Sequence, residues 1–342
     1  MKVIPRKFRK SRREEPAPVP EKTGDAQPLA ACEAKRPESG AAGAPAEPAG
    51  PEESLRTPAP RYTFPTWFDF LALVGLFVVI QLVVALAMLI AGAKMPDAAA
   101  LNSADEAVAE QAHAAAAQFN FYAYPVTMGL MIVLTLLYRR LRNGNHRLGR
   151  YAARGLNPVL ILWGVILMVA TNIVLEPLLQ LLPAIPDFYG RGFKALLLTV
   201  VMAPLAEEFL CRGILLDAAR AKGGAAYGLF FSSLFFGVIH FYPAAVVNAF
   251  VLGLILGFIY IRSNSLYIVI ILHAFNNALA MLLLTLGYAH TTLYEWMAGR
   301  GLETLYSAVY GVSLALFLFA GYRVWKTISH LRQQEQAVAG AQ

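Results

Sequence analysis

Along the chain, windows of about 20 apolar residues recur between short polar stretches, and that is the length an α-helix needs to cross the hydrocarbon of a bilayer. Eight such windows are legible, at 67–93, 121–138, 158–182, 195–216, 226–242, 243–261, 266–287 and 303–325. The pattern predicts an all-α fold, a polytopic membrane protein with about eight transmembrane helices. The fifth and sixth windows meet in HFYPAA, where Pro243 suits a turn or the first position of a new helix. Residues 1–64 lack a sustained apolar period and are rich in Pro, Ala, Glu and basic residues, which predicts a disordered arm. A long hydrophilic arm before the first window also argues against a cleavable signal peptide.

Composition agrees with a membrane as the solvent. Apolar residues make up 57% of the 342 and charged ones 15%, against about 25% charged in an average soluble domain. The basic residues cluster in alternate connections: MKVIPRKFRKSRR at the start, RRLRNGNHRLGRYAAR at 139–154, DAARAKGG at 217–224, IRSNS, and the tail YRVWKTISHLR. Eight spans with both termini cytoplasmic fit that alternation. The net charge of +7 therefore reflects topology and anionic headgroups, and no nucleic-acid partner is expected. Cys32 falls in the arm and Cys211 in a membrane window, so no structural disulfide is expected between them.

One window breaks the apolar rule. APLAEEFLCRG at 203–213 places Glu207, Glu208 and Arg212 where each ionisable residue costs about 2.5 to 3.5 kcal/mol if it faces lipid. They must face protein or a wet cavity. Glu208 and Arg212 stand in the favourable i, i+4 order for an ion pair, which leaves Glu207 about 100° away with no partner on its own helix. Of six histidines, only His240 and His273 fall inside windows; His113, His146, His290 and His330 are expected in loops or the tail. Asn277 lies one turn beyond His273. Counted at 1.5 Å per residue, Glu207 lies roughly 15 Å, His240 roughly 20 Å, and His273 with Asn277 roughly 10 to 18 Å from the cytosolic ends of their helices, near the midplane. A carboxylate and an imidazole can hold a water and take its proton, while a second imidazole and a carboxamide can donate to a developing oxyanion.

These residues also carry a resemblance. EEFLCR reads as EExxxR, FGVIH as FxxxH ending at His240, and HAFNN as HxxxN from His273 to Asn277. Together, over roughly residues 190–290, they resemble the CAAX prenyl endopeptidase and bacteriocin-processing (CPBP, or Abi) family of intramembrane proteases. The resemblance implies that Glu207 and His240 activate water, that His273 and Asn277 stabilise the oxyanion, and that Glu208 and Arg212 support them. It divides the chain into the arm 1–64, N-terminal membrane helices over 65–189, a catalytic core at 190–290, and a last helix and tail over 291–342. No cofactor is expected, and a metal-independent glutamate mechanism is favoured. Zinc held by Glu207, His240 and His273 is the alternative, although HExxH is absent.

The expected function is hydrolysis of a peptide bond in a peptide or membrane-protein substrate. The expected location is a bacterial cytoplasmic membrane, with the site open to the cytosol. A proton- or ion-coupled transporter using the same Glu and His residues is the rival, weakened by the lack of an evident inverted repeat; an inactive membrane scaffold is a third. Each polar residue also has a plain packing role open to it: Glu208 with Arg212 as a structural pair, His240, His273 and Asn277 as interhelical hydrogen-bonders, Cys211 as inert filling. Gly253 and Gly257 form a GxxxG face for close helix contact, Asn248 and Asn276 are candidates for interhelical bonding, and Glu176 is expected to cap or snorkel near the outer interface.

Overall fold

The computed structural model describes residues 62–95, 97–101, 103–143, 156–183, 190–288 and 291–339. Nearly all of the predicted arm, with His146 and His290, lies outside them. Among the described residues there is no strand. The order is α1 (Trp67–Ile90), α2 (Ala98–Leu101), α3 (Glu106–Asn143), α4 (Pro158–Leu179), α5 (Phe193–Leu197), a π-helical segment π1 (Leu198–Met202), α6 (Ala203–Glu208), a second π-helical segment π2 (Phe209–Leu216), α7 (Asp217–Val238), α8 (Pro243–Ser263), α9 (Leu266–Thr285), α10 (Leu293–Ala298) and α11 (Glu303–Ala339).

Among the described residues, six helices are long and apolar enough to cross a membrane: Trp67–Ile90, Glu106–Arg142, Pro158–Leu179, Pro243–Ser263, Leu266–Thr285 and Glu303–Leu331. Only 11–44% of their apolar windows is buried by protein, so most of that surface faces outward and needs lipid as its solvent. The other two expected windows are helical but differ in kind. Window 195–216 runs through α5, π1, α6 and π2, interrupted twice by π geometry; window 226–242 falls in α7, whose helix stops at Val238. His113 is not in a loop, because α3 starts at Glu106, well before the expected 121; the side chain is buried.

Local chemistry sets the helix ends. Thr66 caps α1 reciprocally with Asp69, whose carboxylate also meets Tyr138 and Arg142 at the end of α3. Asn157 caps α4 with Pro158 in the first turn, and Pro243 opens α8, as the sequence predicts. Lys222 donates to the carbonyls of Thr63 and Pro65, and Tyr260 to Asp217. One end of the bundle therefore collects the start of α1, the end of α3, the start of α7 and the end of α8. Gly224 (φ +83°) breaks α7 there, at a backbone angle only glycine adopts freely.

Two apolar clusters flank the composite helix α5–π1–α6–π2. One joins α1, α3 and α7 through Phe70, Leu73, Met128, Met131, Phe231 and Phe235; the other joins α4, α8, α9 and α11 through Leu167, Leu252, Leu256, Leu272 and Val324. π2 contributes Ile214 to the first and Leu216 to the second, so the charged stretch is held between two cores.

Candidate active site

Glu207 and Glu208 end α6, with π-helical backbone before and after them. π geometry takes one extra residue per turn and is concentrated at functional sites, because it re-aims side chains and releases backbone groups. Pro204 contributes no N–H at the junction.

All three charges are out of solvent: Glu207 is 8% exposed, Glu208 and Arg212 0%. Arg212 Nη1 lies 2.9 Å from Glu208 Oε1, the pair expected from the spacing. Arg212 also donates from Nη2 to the Gly253 carbonyl at 3.2 Å, and its guanidinium lies 4.6 Å from the centre of the Phe236 ring. A buried cation is tolerated when it is paired, hydrogen-bonded and laid on an aromatic face in this way. The Gly253 contact needs close approach: a Cβ there would sit 3.1 Å from Ser233 Cβ and 3.3 Å from Phe236 Cδ1, which gives the expected small-residue face its purpose.

His273 joins the same carboxylate. Its Nδ1 is 2.9 Å from Glu208 Oε1, and since a carboxylate paired with Arg212 can only accept, Nδ1 carries the hydrogen. That turns Nε2 toward Glu207, 3.7 Å from Oε2. The other oxygen of Glu207, Oε1, accepts from the Tyr124 hydroxyl at 2.6 Å. The two adjacent glutamates thus differ in kind. Glu208 is tied to a cation, whereas Glu207 is held by a neutral donor and faces an imidazole.

His240 lies in the turn after α7, not within a helix as the window implies, because the chain leaves helical geometry at Ile239 and passes through Phe241 at φ +61°. That angle is costly for an aromatic residue and is held by stacking of Phe241 on Phe77 of α1, centroids 6.0 Å apart. His240 Nδ1 is 2.7 Å from the Phe236 carbonyl, so it donates there and leaves Nε2 as the basic nitrogen. Phe236 meets both imidazoles edge to face, with centroids 5.0 Å from His240 and 5.5 Å from His273. One phenyl ring, with Arg212 on its face, thus sets the orientation of both histidines.

Asn277 donates from Nδ2 to the Thr199 carbonyl of π1 at 2.9 Å, and its Oδ1 is 3.4 Å from Asn276 Nδ2. Asn276 in turn accepts from Asn172 of α4 at 2.9 Å. An amide NH2 has two hydrogens; one is used on Thr199 and fixes the plane, and the second is available to a ligand.

The structure therefore brings Glu207, Glu208, Arg212 and His273 into direct contact and ties in His240 through Phe236. Tyr124, Thr199 and Asn172 escape a reading of the sequence. Tyr124 stands in FNFYAYP beside Tyr122, and nothing in that stretch marks which tyrosine turns inward. Cys211 is fully buried in the first core cluster and Glu176 accepts from the backbone of Tyr294, both consistent with packing roles. For zinc, Glu207 and His273 are a close pair, but among the described residues no group of three His, Cys, Asp or Glu is arranged to hold a metal.

Residues 191–279 match the family model described as type II CAAX prenyl endopeptidase, Rce1-like. The chain carries a domain of this family. All six residues singled out from the sequence fall inside the Rce1-like segment, whereas Tyr124 and Asn172 lie outside it. With its apolar helices, the Rce1-like match makes the chain an integral, multi-pass membrane protein. Comparisons with curated proteins and with solved structures gave no match.

Proposed function

We propose that the chain is an intramembrane endopeptidase that hydrolyses a peptide bond in a peptide or membrane-protein substrate. The observation that carries this reading is the asymmetry of the glutamates: Glu208 is neutralised by Arg212, while Glu207 turns Oε2 toward an imidazole and has no cation of its own on the helix. A water beside Oε2 gives its proton to Glu207 as its oxygen attacks the carbonyl carbon. His240 accepts a hydrogen bond from that water through Nε2 and orients it. The oxyanion takes the second N–H of Asn277 and, when His273 is doubly protonated, its Nε2–H. Collapse breaks the C–N bond, and the proton on Glu207 passes to the leaving amine.

This mechanism needs no metal, which is what the family resemblance implies. The basic end of the bundle, with Arg142, Lys222 and Arg262, faces the cytoplasm in this reading, with the site open to that side.

The test is cleavage of a quenched peptide library by purified protein in detergent, comparing wild type, Glu207→Gln and Glu208→Gln, with and without chelator. Cleavage abolished by Glu207→Gln and unaffected by chelator is expected. Cleavage that survives Glu207→Gln removes Glu207 as the base; loss on chelation with recovery on adding zinc overturns the metal-free mechanism. Proton or ion flux in liposomes without cleavage would favour the transporter.

A further inference from the structure

The carboxylate assigned as the base is held from outside the Rce1-like segment. Tyr124 belongs to α3, and its hydroxyl donates to Glu207 Oε1 at 2.6 Å in a part-buried contact. The neighbours of Glu207 leave this task to Tyr124. Along its own helix, Glu208 is an acceptor like itself, and Arg212 is directed to Glu208 and the Gly253 carbonyl. From α9, His273 commits Nδ1 to Glu208 and approaches the other oxygen of Glu207 at 3.7 Å, beyond hydrogen-bond length. From the turn between α7 and α8, His240 donates to the Phe236 carbonyl.

We propose that Tyr124 is a positioning residue for Glu207: its hydroxyl fixes the rotation of the carboxylate, so that Oε1 is occupied and Oε2 is the oxygen presented to water. This deepens the endopeptidase reading and rests on it. It assigns a working part of the site to α3, which lies outside residues 191–279.

The consequences have a definite sign. A neutral donor stabilises the ionised form of the carboxylate it bonds. Without the hydroxyl, the carboxylate loses that donor and rotates more freely. Tyr124→Phe keeps the ring and removes only the donor. Its kcat should fall roughly tenfold to a hundredfold, the scale of one hydrogen bond to a charged group. KM should stay within about twofold, because a positioning role acts on the carboxylate in the chemical step and the ring of residue 124 is kept. Replacing Tyr124 by 3-fluorotyrosine, a stronger donor of nearly the same shape, should keep kcat near the wild-type value. Tyr122→Phe, on the same turn, should do the same.

A second readout does not need turnover. At one fixed pH, the infrared carboxylate stretch of Glu207, assigned as the band missing in Glu207→Gln, should shift in frequency in Tyr124→Phe, where the hydrogen bond to Oε1 is lost, and in the opposite direction in the fluorotyrosine protein, where it is stronger. Opposite shifts in the two variants support the positioning role. An unmoved band with unchanged kcat in a folded Tyr124→Phe protein, or an unmoved band in the fluorotyrosine protein where the phenylalanine variant does not fold, overturns it. Cleavage surviving Glu207→Gln together with opposite band shifts would reject the base assignment while leaving the Tyr124 contact intact, so the two failures are distinguishable.

Discussion

His273 reaches Glu208 through Nδ1 at 2.9 Å on the same oxygen that receives Arg212, so a single carboxylate atom ties α9 to π2 and aims the opposite edge of the imidazole at Glu207. Neighbouring glutamates therefore carry separable tasks. Glu208→Gln leaves Arg212 without its counter-charge in the interior, and breaking such a pair costs about 3–5 kcal/mol. A large drop in thermal midpoint in detergent is expected, with activity lost as His273 loses its aim. Glu207→Gln should unfold within a few degrees of wild type yet be inactive. Equal destabilisation by both substitutions would show that the division of labour is wrong.

Arg212 is served by three different contacts: Glu208, the Gly253 carbonyl and the Phe236 ring. A lysine can reproduce the charge but not the fork or the stacking. Arg212→Lys is expected to cost about 2–4 kcal/mol, read as loss of thermal midpoint, with weaker packing of α8 on α7. A lysine variant as stable as wild type would mean that charge alone is required.

The contact of α7 with α8 offers a graded test. A methyl at residue 253 would lie 3.1 Å from Ser233 Cβ and 3.2 Å from its Cα, so backbone must move, while at residue 257 the nearest atom is the end of Leu229, a side chain that can rotate. Gly253→Ala should destabilise by about 1–3 kcal/mol and Gly257→Ala by less. Ser233→Ala should be neutral or stabilising, because its buried hydroxyl has no hydrogen-bond partner to lose. Thermal unfolding of the three variants in one detergent orders them; a reversed order of the glycine variants would refute the packing account.

How much of this was legible in the sequence depends on range. Helices α1, α4, α8, α9 and α11 announce themselves by apolar length, and Glu207, Glu208 and Arg212 by charge in an apolar window, because lipid imposes the same cost wherever a residue sits. The Glu208–Arg212 pair follows from spacing on one helix. Tyr124 does not, since its partner lies 83 residues away and inward and outward tyrosines of an apolar helix look alike. The π segments are equally hidden: an extra residue per turn leaves no compositional mark, yet it splits the fourth window. The apolar run FGVIHF predicts a helix through His240, whereas α7 ends at Val238 and the chain turns through Phe241 at positive φ.

Outside the membrane helices, Thr292 and Glu295 form a capping box at the start of α10, with both the backbone N–H and the hydroxyl of Thr292 on Glu295 Oε2. The backbone bond first, then the hydroxyl, holds the Glu295 carboxyl below the usual glutamate range. The folded value lies below the unfolded one, so the cap's contribution is complete above about pH 4.3 and is lost as pH falls through the folded value. Amide exchange at Glu295 and Trp296, corrected for its intrinsic pH dependence, should therefore lose protection on acidification. Glu295→Gln should remove that dependence, whereas Thr292→Ala, which keeps the backbone N–H and loses only the hydroxyl, should weaken it.

Asn277 offers the sharpest test of the oxyanion assignment, because its first amide hydrogen is already engaged. The bond to the Thr199 carbonyl uses an acceptor in π1, so the π turn and the asparagine orient each other. Asn277→Ala removes both hydrogens and should lower kcat by about 10²–10³, the cost of losing one oxyanion donor. Its loss of stability should be nearer 1 kcal/mol, from the bond to Thr199. Asn277→Asp retains the shape but, when ionised, sets a carboxylate against the Thr199 carbonyl and the developing oxyanion, so its kcat should fall at least as far as in the alanine variant, with KM little changed. Asn172→Ala removes the bond to Asn276 at the other end of the chain of amides and should cost less than tenfold. Steady-state cleavage by the three variants separates the possibilities: full kcat in Asn277→Asp would show that the carboxamide only braces π1, and would transfer the oxyanion role to His273 alone.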